Sequence, residues 1–172
     1  MRSIFNKVCR LLAFAAISFA DVSYAENMPA SADAVLLTIS GEITNRNVGD
    51  TLQLDLAMLE NLPQVEIVTS TIWTEGVDTY KGVLLRDLLD HAGHAGISIS
   101  ATAINDYAVD VPIESATEKW PIVAYERNGG PMSVRDKGPL WLIYPFDDYD
   151  ELRSEIIYSR SIWQLDRIVV TD

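Results

Sequence analysis

The sequence predicts an α+β fold that is mainly β. Three observations carry that expectation. Short runs rich in β-branched and aromatic residues recur along the chain, among them residues 65–72, 97–103 and 162–170. Only two segments, residues 56–62 and 84–91, space their apolar residues as a helix does. Nowhere do strands and helices alternate as a doubly wound parallel sheet requires.

Residues 35–39 and 65–72 read as strands. Residues 56–62 read as a short helix closed by Pro63, because the residue before a proline avoids the α region. Leu84, Leu85, Leu88 and Leu89 define an amphipathic helix over residues 84–91, with Gly93 as its stop. Further strands are expected at residues 97–103, 107–111, 122–126, 140–144 and 162–170. Residues 114–118 and 149–155 read as short helical or irregular connections. No repeat, low-complexity tract or internal linker interrupts the pattern, so one domain is expected.

The first residues read as a leader. Arg2, Lys7 and Arg10 precede an apolar core over residues 11–20, and Ser23-Tyr24-Ala25 has the small-x-small form of a cleavage site. Ten helical residues rise only about 15 Å, half the thickness of a hydrocarbon core. The expectation is a signal peptide over residues 1–25, then a mature periplasmic domain over residues 26–172 with no stable membrane anchor. Removing the leader leaves ten basic and twenty-four acidic residues, a formal charge of −14 against −12 for the whole chain. So acidic a surface argues against nucleic acid and anionic membranes as partners. The only cysteine, Cys9, lies in the leader. The mature domain therefore has no thiolate to act as nucleophile or metal ligand.

Residues 124–145 carry the most specific pattern. An apolar run ends at Asn128-Gly129-Gly130, residues that tolerate positive φ and so favour a turn. A polar loop with Arg135, Asp136, Lys137 and Gly138 follows, then a second apolar run that stops at Pro145. A polar loop between two buried strands is a common place for a binding site. This segment resembles the molybdopterin-binding domain of the sulfite oxidase family, with Asn128, Gly129, Pro131, Arg135, Asp136, Gly138 and Pro145 matching in order. Residues 68–74 resemble the family's cofactor strand, residues 82–89 its following helix, and residues 162–170 its closing strand. Asn105-Asp106-Tyr107 and Val111-Pro112 resemble its next hairpin. The likeness covers residues 52–170 and implies a sulfite-oxidase-type fold with mixed sheets and short helices.

A pterin is a flat heteroaromatic ring with a hydrogen-bonding edge, so its pocket needs stacking faces and a few polar groups. On the segments that match the family's pocket, Trp73, Thr74, Tyr107, Arg135, Lys137, Gly138 and Trp141 are the candidate pterin-binding residues. Trp141 has an equally good reading as core. Thr74 is the informative departure: the resemblance places it where the family's oxidoreductases carry the cysteine that binds molybdenum. A neutral hydroxyl is a poor replacement for a soft thiolate. Lys137 and Trp141 depart too, standing where those enzymes tend to have histidine and arginine.

The resemblance thus implies a non-catalytic protein that binds an unmetallated pterin, like small exported regulators that present a pterin to the periplasmic domain of a membrane-bound cyclic-di-GMP enzyme. Two alternatives stay open: a molybdopterin-dependent oxidoreductase with a non-cysteine ligand, and a protein-interaction module with a vestigial pocket. Weaker candidates reduce to ordinary roles. His91 and His94 sit at metal-binding spacing without an obvious third ligand. Asp147, Asp148, Asp150 and Glu151 lack the glycine and alternation of a calcium loop and read as solvated.

Overall fold

The computed structural model describes Ser31 and residues 33–172. The expected leader and Cys9 lie outside the described residues. Among the described residues the fold consists of two five-stranded sheets, three short helices and three 3-10 turns. Strands β1 (Leu37–Gly41), β2 (Leu52–Leu54), β5 (Ser98–Ala103), β6 (Ala108–Pro112) and β10 (Leu165–Thr171) form the first sheet, in the order β2-β1-β10-β5-β6. Strands β3 (Gln64–Ser70), β4 (Val77–Leu84), β7 (Ile122–Arg127), β8 (Gly130–Pro131) and β9 (Trp141–Ile143) form the second, with β8 and β9 both paired to β7. Among the described strands only β1 and β10 run parallel; the remaining pairs are antiparallel. This is the mainly β, mixed-sheet fold that the sequence predicted.

The main core lies between the sheets. Leu37, Ile39, Ile99 and Ile168 from the first sheet meet Val83, Val123, Tyr125 and Leu142 from the second. Helix α2 (Leu85–Ala92) adds Leu85, Leu88, Leu89 and Ala92, spaced to place them on one face. It ends at Gly93, whose φ of 63° supplies the left-handed cap that a side chain would strain. Helix α1 (Leu56–Glu60) starts under a cap in which Asp55 accepts from the Met58 amide at 2.9 Å.

The alternate residues of the second sheet face the other way. Tyr80, Ile122, Ala124, Trp141 and Ile143 make a smaller core with Ile67, Leu84 and Met132, against which Trp73 and Trp163 pack. That sheet is therefore buried on both faces at β7 and β9, which is why their sequence reads as continuous apolar runs rather than alternating ones.

Three expectations need correcting. The cofactor-like strand ends at Ser70, so Thr71 to Thr74 belong to the turn between β3 and β4. Gly82 to Leu84 are strand, not helix; Gly82 sits so close to β7 that an added Cβ would lie 2.1 Å from the Val123 carbonyl oxygen. The connection after residue 152 holds a third helix, α3 (Glu155–Arg160), capped by Ser154, whose hydroxyl accepts from the Ile157 amide. No helix among the described residues is long and apolar enough to cross a membrane.

Tyr144 is sealed in the main core, and its hydroxyl has no protein hydrogen-bond partner among the described residues. Burial pushes its ionisation well above the ordinary phenol value. The ring packs beside Phe146 at 6.0 Å, so the aromatic surface stabilises while the hydroxyl costs. Tyr144→Phe should accordingly leave stability unchanged or raise it by up to about 1 kcal/mol, measured by urea denaturation. A clear loss would show that the hydroxyl is satisfied in the folded protein.

Candidate functional site

The turn after β3 carries Trp73 into an aromatic cluster. Its indole meets Trp163 at 5.5 Å, Tyr158 at 5.8 Å, Trp141 at 5.9 Å and Phe146 at 6.3 Å between ring centres, all edge to face. Such arrangements match the positive edge of one ring to the negative face of another. Beside this cluster opens a cavity of about 530 Å³. Ile72 and Trp73 supply one wall, and Ala103, Asn105 and Tyr107 from the β5–β6 hairpin supply another. Glu155, Tyr158 and Ser159 from α3, with residues 161–163, complete it.

Of the sequence candidates, Trp73 and Tyr107 line this cavity. Tyr107 is 53% exposed, free to lie against a bound ring. Trp141 is fully buried beneath Trp73, and its Nε1 donates to the Ser161 carbonyl at 3.1 Å. It supports the wall rather than forming it. Lys137 reaches the cluster from behind, its Nζ 4.5 Å from the Trp163 ring centre and 5.6 Å from that of Trp141. A cation over an indole face is worth about 0.5–2 kcal/mol and steadies Trp163. Gly138 is a packing residue: an added Cβ would lie 1.9 Å from the Met132 carbonyl oxygen. Arg135 is exposed on its 3-10 turn and forms no ion pair among the described residues. Asp136 accepts instead from the Ser133 hydroxyl at 2.7 Å. Sequence reasoning missed Glu155, Tyr158 and Ser159, because the short helical or irregular connection expected over residues 149–155 stops where α3 begins, and Trp163, because it falls in the segment expected as the closing strand.

Behind Trp73 lies a polar network. The Thr74 and Thr71 hydroxyls are 2.8 Å apart, and Thr71 also accepts from the Trp73 amide at 3.1 Å. Asp78 is buried at the start of β4, where it pairs with Arg127 Nη2 at 2.7 Å and accepts from Asn128 Nδ2 at 2.7 Å. Tyr80 donates its hydroxyl to the same carboxylate at 3.3 Å. Burial pushes the Asp78 carboxyl up, but hydrogen bonds from Asn128 and Arg127, the Arg127 charge and Thr74 together hold it below its ordinary value. Asn128 also pins the strand pair, accepting from the Thr79 amide at 2.9 Å through Oδ1 and donating its own amide to the Thr79 carbonyl at 2.8 Å. Its φ of 53° is the left-handed geometry expected of the Asn-Gly turn.

The acidic loop is more than a solvated cluster. Asp147 accepts from the Ser70 amide at 2.6 Å and its hydroxyl at 2.7 Å, and pairs with Arg153 at 3.0 Å. Those Ser70 bonds hold its carboxyl below the ordinary value and tie the loop to the end of β3. His94 Nε2 sits 3.7 Å from Asp90, and burial lowers the His91 value.

Residues 25–147 match the model of the oxidoreductase molybdopterin binding domain, most of the chain. The chain belongs to that family. No curated protein matches this molybdopterin-binding domain. Among solved structures, it is similar to the crystal structure of the sulfane dehydrogenase SoxCD from Paracoccus pantotrophus, with a TM-score of 0.62 and 18% identity. The match covers 85% of this chain and 40% of that one, so the domain spans about two-fifths of its neighbour's length. At that identity the likeness speaks for the fold.

The residues present fit one half of a molybdopterin and not the other. The cavity offers rings for stacking and a few polar groups, as a pterin requires. The position expected to hold a thiolate holds Thr74, whose neutral hydroxyl is engaged with Thr71. Among the described residues no three His, Cys, Asp or Glu side chains gather where they could hold a metal ion.

Because the folded Asp78 value lies below the unfolded one, its contribution to stability is present above about pH 4 and is lost as pH falls through the folded value. Asp78→Asn should therefore cost about 1.5–3 kcal/mol at pH 7, with the gap to the unaltered protein narrowing towards pH 2. Urea titrations at the two pH values check this.

Proposed function

We propose that the domain binds a pterin without molybdenum, and passes that occupancy to a membrane partner as a signal rather than catalysing a reaction. The observation that carries the reading is the pairing of an aromatic cavity with Thr74. Trp73, Tyr107, Tyr158 and Trp163 give a flat heteroaromatic ring surfaces to lie against. The neighbouring threonine removes the thiolate through which the family's metal chemistry runs. What remains is recognition.

The export expected from residues 1–25 supports a periplasmic site of action. The resemblance to small exported regulators supports the periplasmic domain of a membrane-bound cyclic-di-GMP enzyme as the partner. The formal charge of −14 expected of residues 26–172 favours a partner face with basic residues. Family membership favours a second reading, an oxidoreductase with some other ligand at the metal.

Titration of the mature protein with oxidised and reduced pterins should quench its Trp emission, and Trp73→Ala should weaken binding by at least about tenfold while Trp120, Trp141 and Trp163 still report. Absence of quenching by every pterin would reject the proposal. Stoichiometric molybdenum in protein prepared from a host that makes the cofactor would establish the second reading in its place.

A further inference from the structure

The cavity has a charge character that its aromatic walls do not by themselves supply. Glu155 is the one charged side chain among the described residues lining it. It stands in the first turn of α3, exposed, and none of the ion pairs or hydrogen bonds among the described side chains engages its carboxylate. Arg160 follows on the same helix and Arg153 precedes it, but Arg153 is committed to Asp147, Asp150 and the Phe146 carbonyl. On a separate wall, Asn105 uses its Oδ1 to accept from the Tyr107 amide at 3.2 Å. Its amide nitrogen is thereby left to donate.

A carboxylate offers two parallel acceptors and no donor, and an amide nitrogen offers donors alone. The edge of a 2-amino-4-oxopteridine presents the complement: a 2-amino donor and an N3–H donor side by side, then a 4-oxo acceptor. We propose that Glu155 accepts from the 2-amino and N3–H groups while Asn105 donates to the 4-oxo group. The cavity would then select pterins over pteridines that carry oxygen at position 2. This inference rests on the pterin reading above and assigns the residues that give it specificity.

Pterin and lumazine separate the two levels, because they share the pteridine ring, N3–H and 4-oxo group and differ at position 2, a 2-amino against a 2-oxo group with its adjoining N1–H. The unaltered protein should bind pterin at least about tenfold more tightly than lumazine, since a charge-assisted pair is lost and a carboxylate faces a carbonyl oxygen. Glu155→Gln should reverse the order. Its amide can accept from N3–H and donate to the 2-oxo group, so lumazine gains what pterin loses. Asn105→Asp should weaken both ligands, by setting a second carboxylate against the 4-oxo group. Equal binding of the two ligands by the unaltered protein, or a preference unchanged in Glu155→Gln, would overturn the assignment while leaving pterin binding intact. Failure to bind either ligand would overturn the pterin reading itself, and this assignment with it.

Discussion

Everything around the cavity hangs on one sealed indole. Trp141 is fully buried in β9, pairs with Ala124 of β7, and bridges to Trp163 on the segment before β10. Its Nε1–H is satisfied by the Ser161 carbonyl, and the Ser161 hydroxyl returns a bond to the Leu142 carbonyl at 2.6 Å. The Leu142 amide donates to the Ile162 carbonyl and the Leu165 amide to the Leu140 carbonyl. A buried indole without an acceptor would leave a polar group stranded in an apolar core. Satisfying it locks residues 161–165 along β9, and so fixes the ring of Trp163, the end of α3 and the floor beneath Trp73.

The polar network on the other side of Trp73 does a related job by different means. Buried charge is tolerated only when it is paired and hydrogen-bonded. Asp78 meets that condition through Arg127, Asn128 and Tyr80. Two of those partners come from the end of β7 and the Asn-Gly turn. The family signature at Asn128 is thus structural in this chain: it anchors the β4–β7 pair beside the turn that presents Trp73. The conformation of the turn does not depend on a metal ligand, because Thr71 and Thr74 close it with their own hydroxyls.

Much of the fold was legible because the signals were local. The β-branched runs at β3, β5, β7 and β10, the leucine spacing of α2 and the Gly93 stop all follow from short-range chemistry. Strand β4 was hidden because its inward positions are Asp78, Tyr80 and Gly82. A buried aspartate and a glycine against a neighbouring strand do not look like a core face until their partners are known. Helix α3 was hidden for a different reason, being six residues long with no buried residue and so no apolar stripe of its own. Missing it hid half the cavity wall. The other half, Trp73 and Tyr107, was legible only through the family resemblance, which places both on segments that match the family's pocket. Lys137 and Arg135 sit on one loop, yet only Lys137 lies over rings of the aromatic cluster, a distinction invisible to spacing.

The strand order of the first sheet has a consequence for when the molecule can exist at all. β10, the last described strand, lies in the middle, with β1 and β2 on one side and β5 and β6 on the other. Until residues 165–171 are present, the two pairs have no shared edge and the main core has no continuous floor. Such long-range pairing also makes assembly slow, because the ends of a long loop must meet before contacts reward them. In a chain of this design the two halves of the first sheet are joined only once residues 165–171 lie between them, so the integrity of the whole sheet rests on one seven-residue strand.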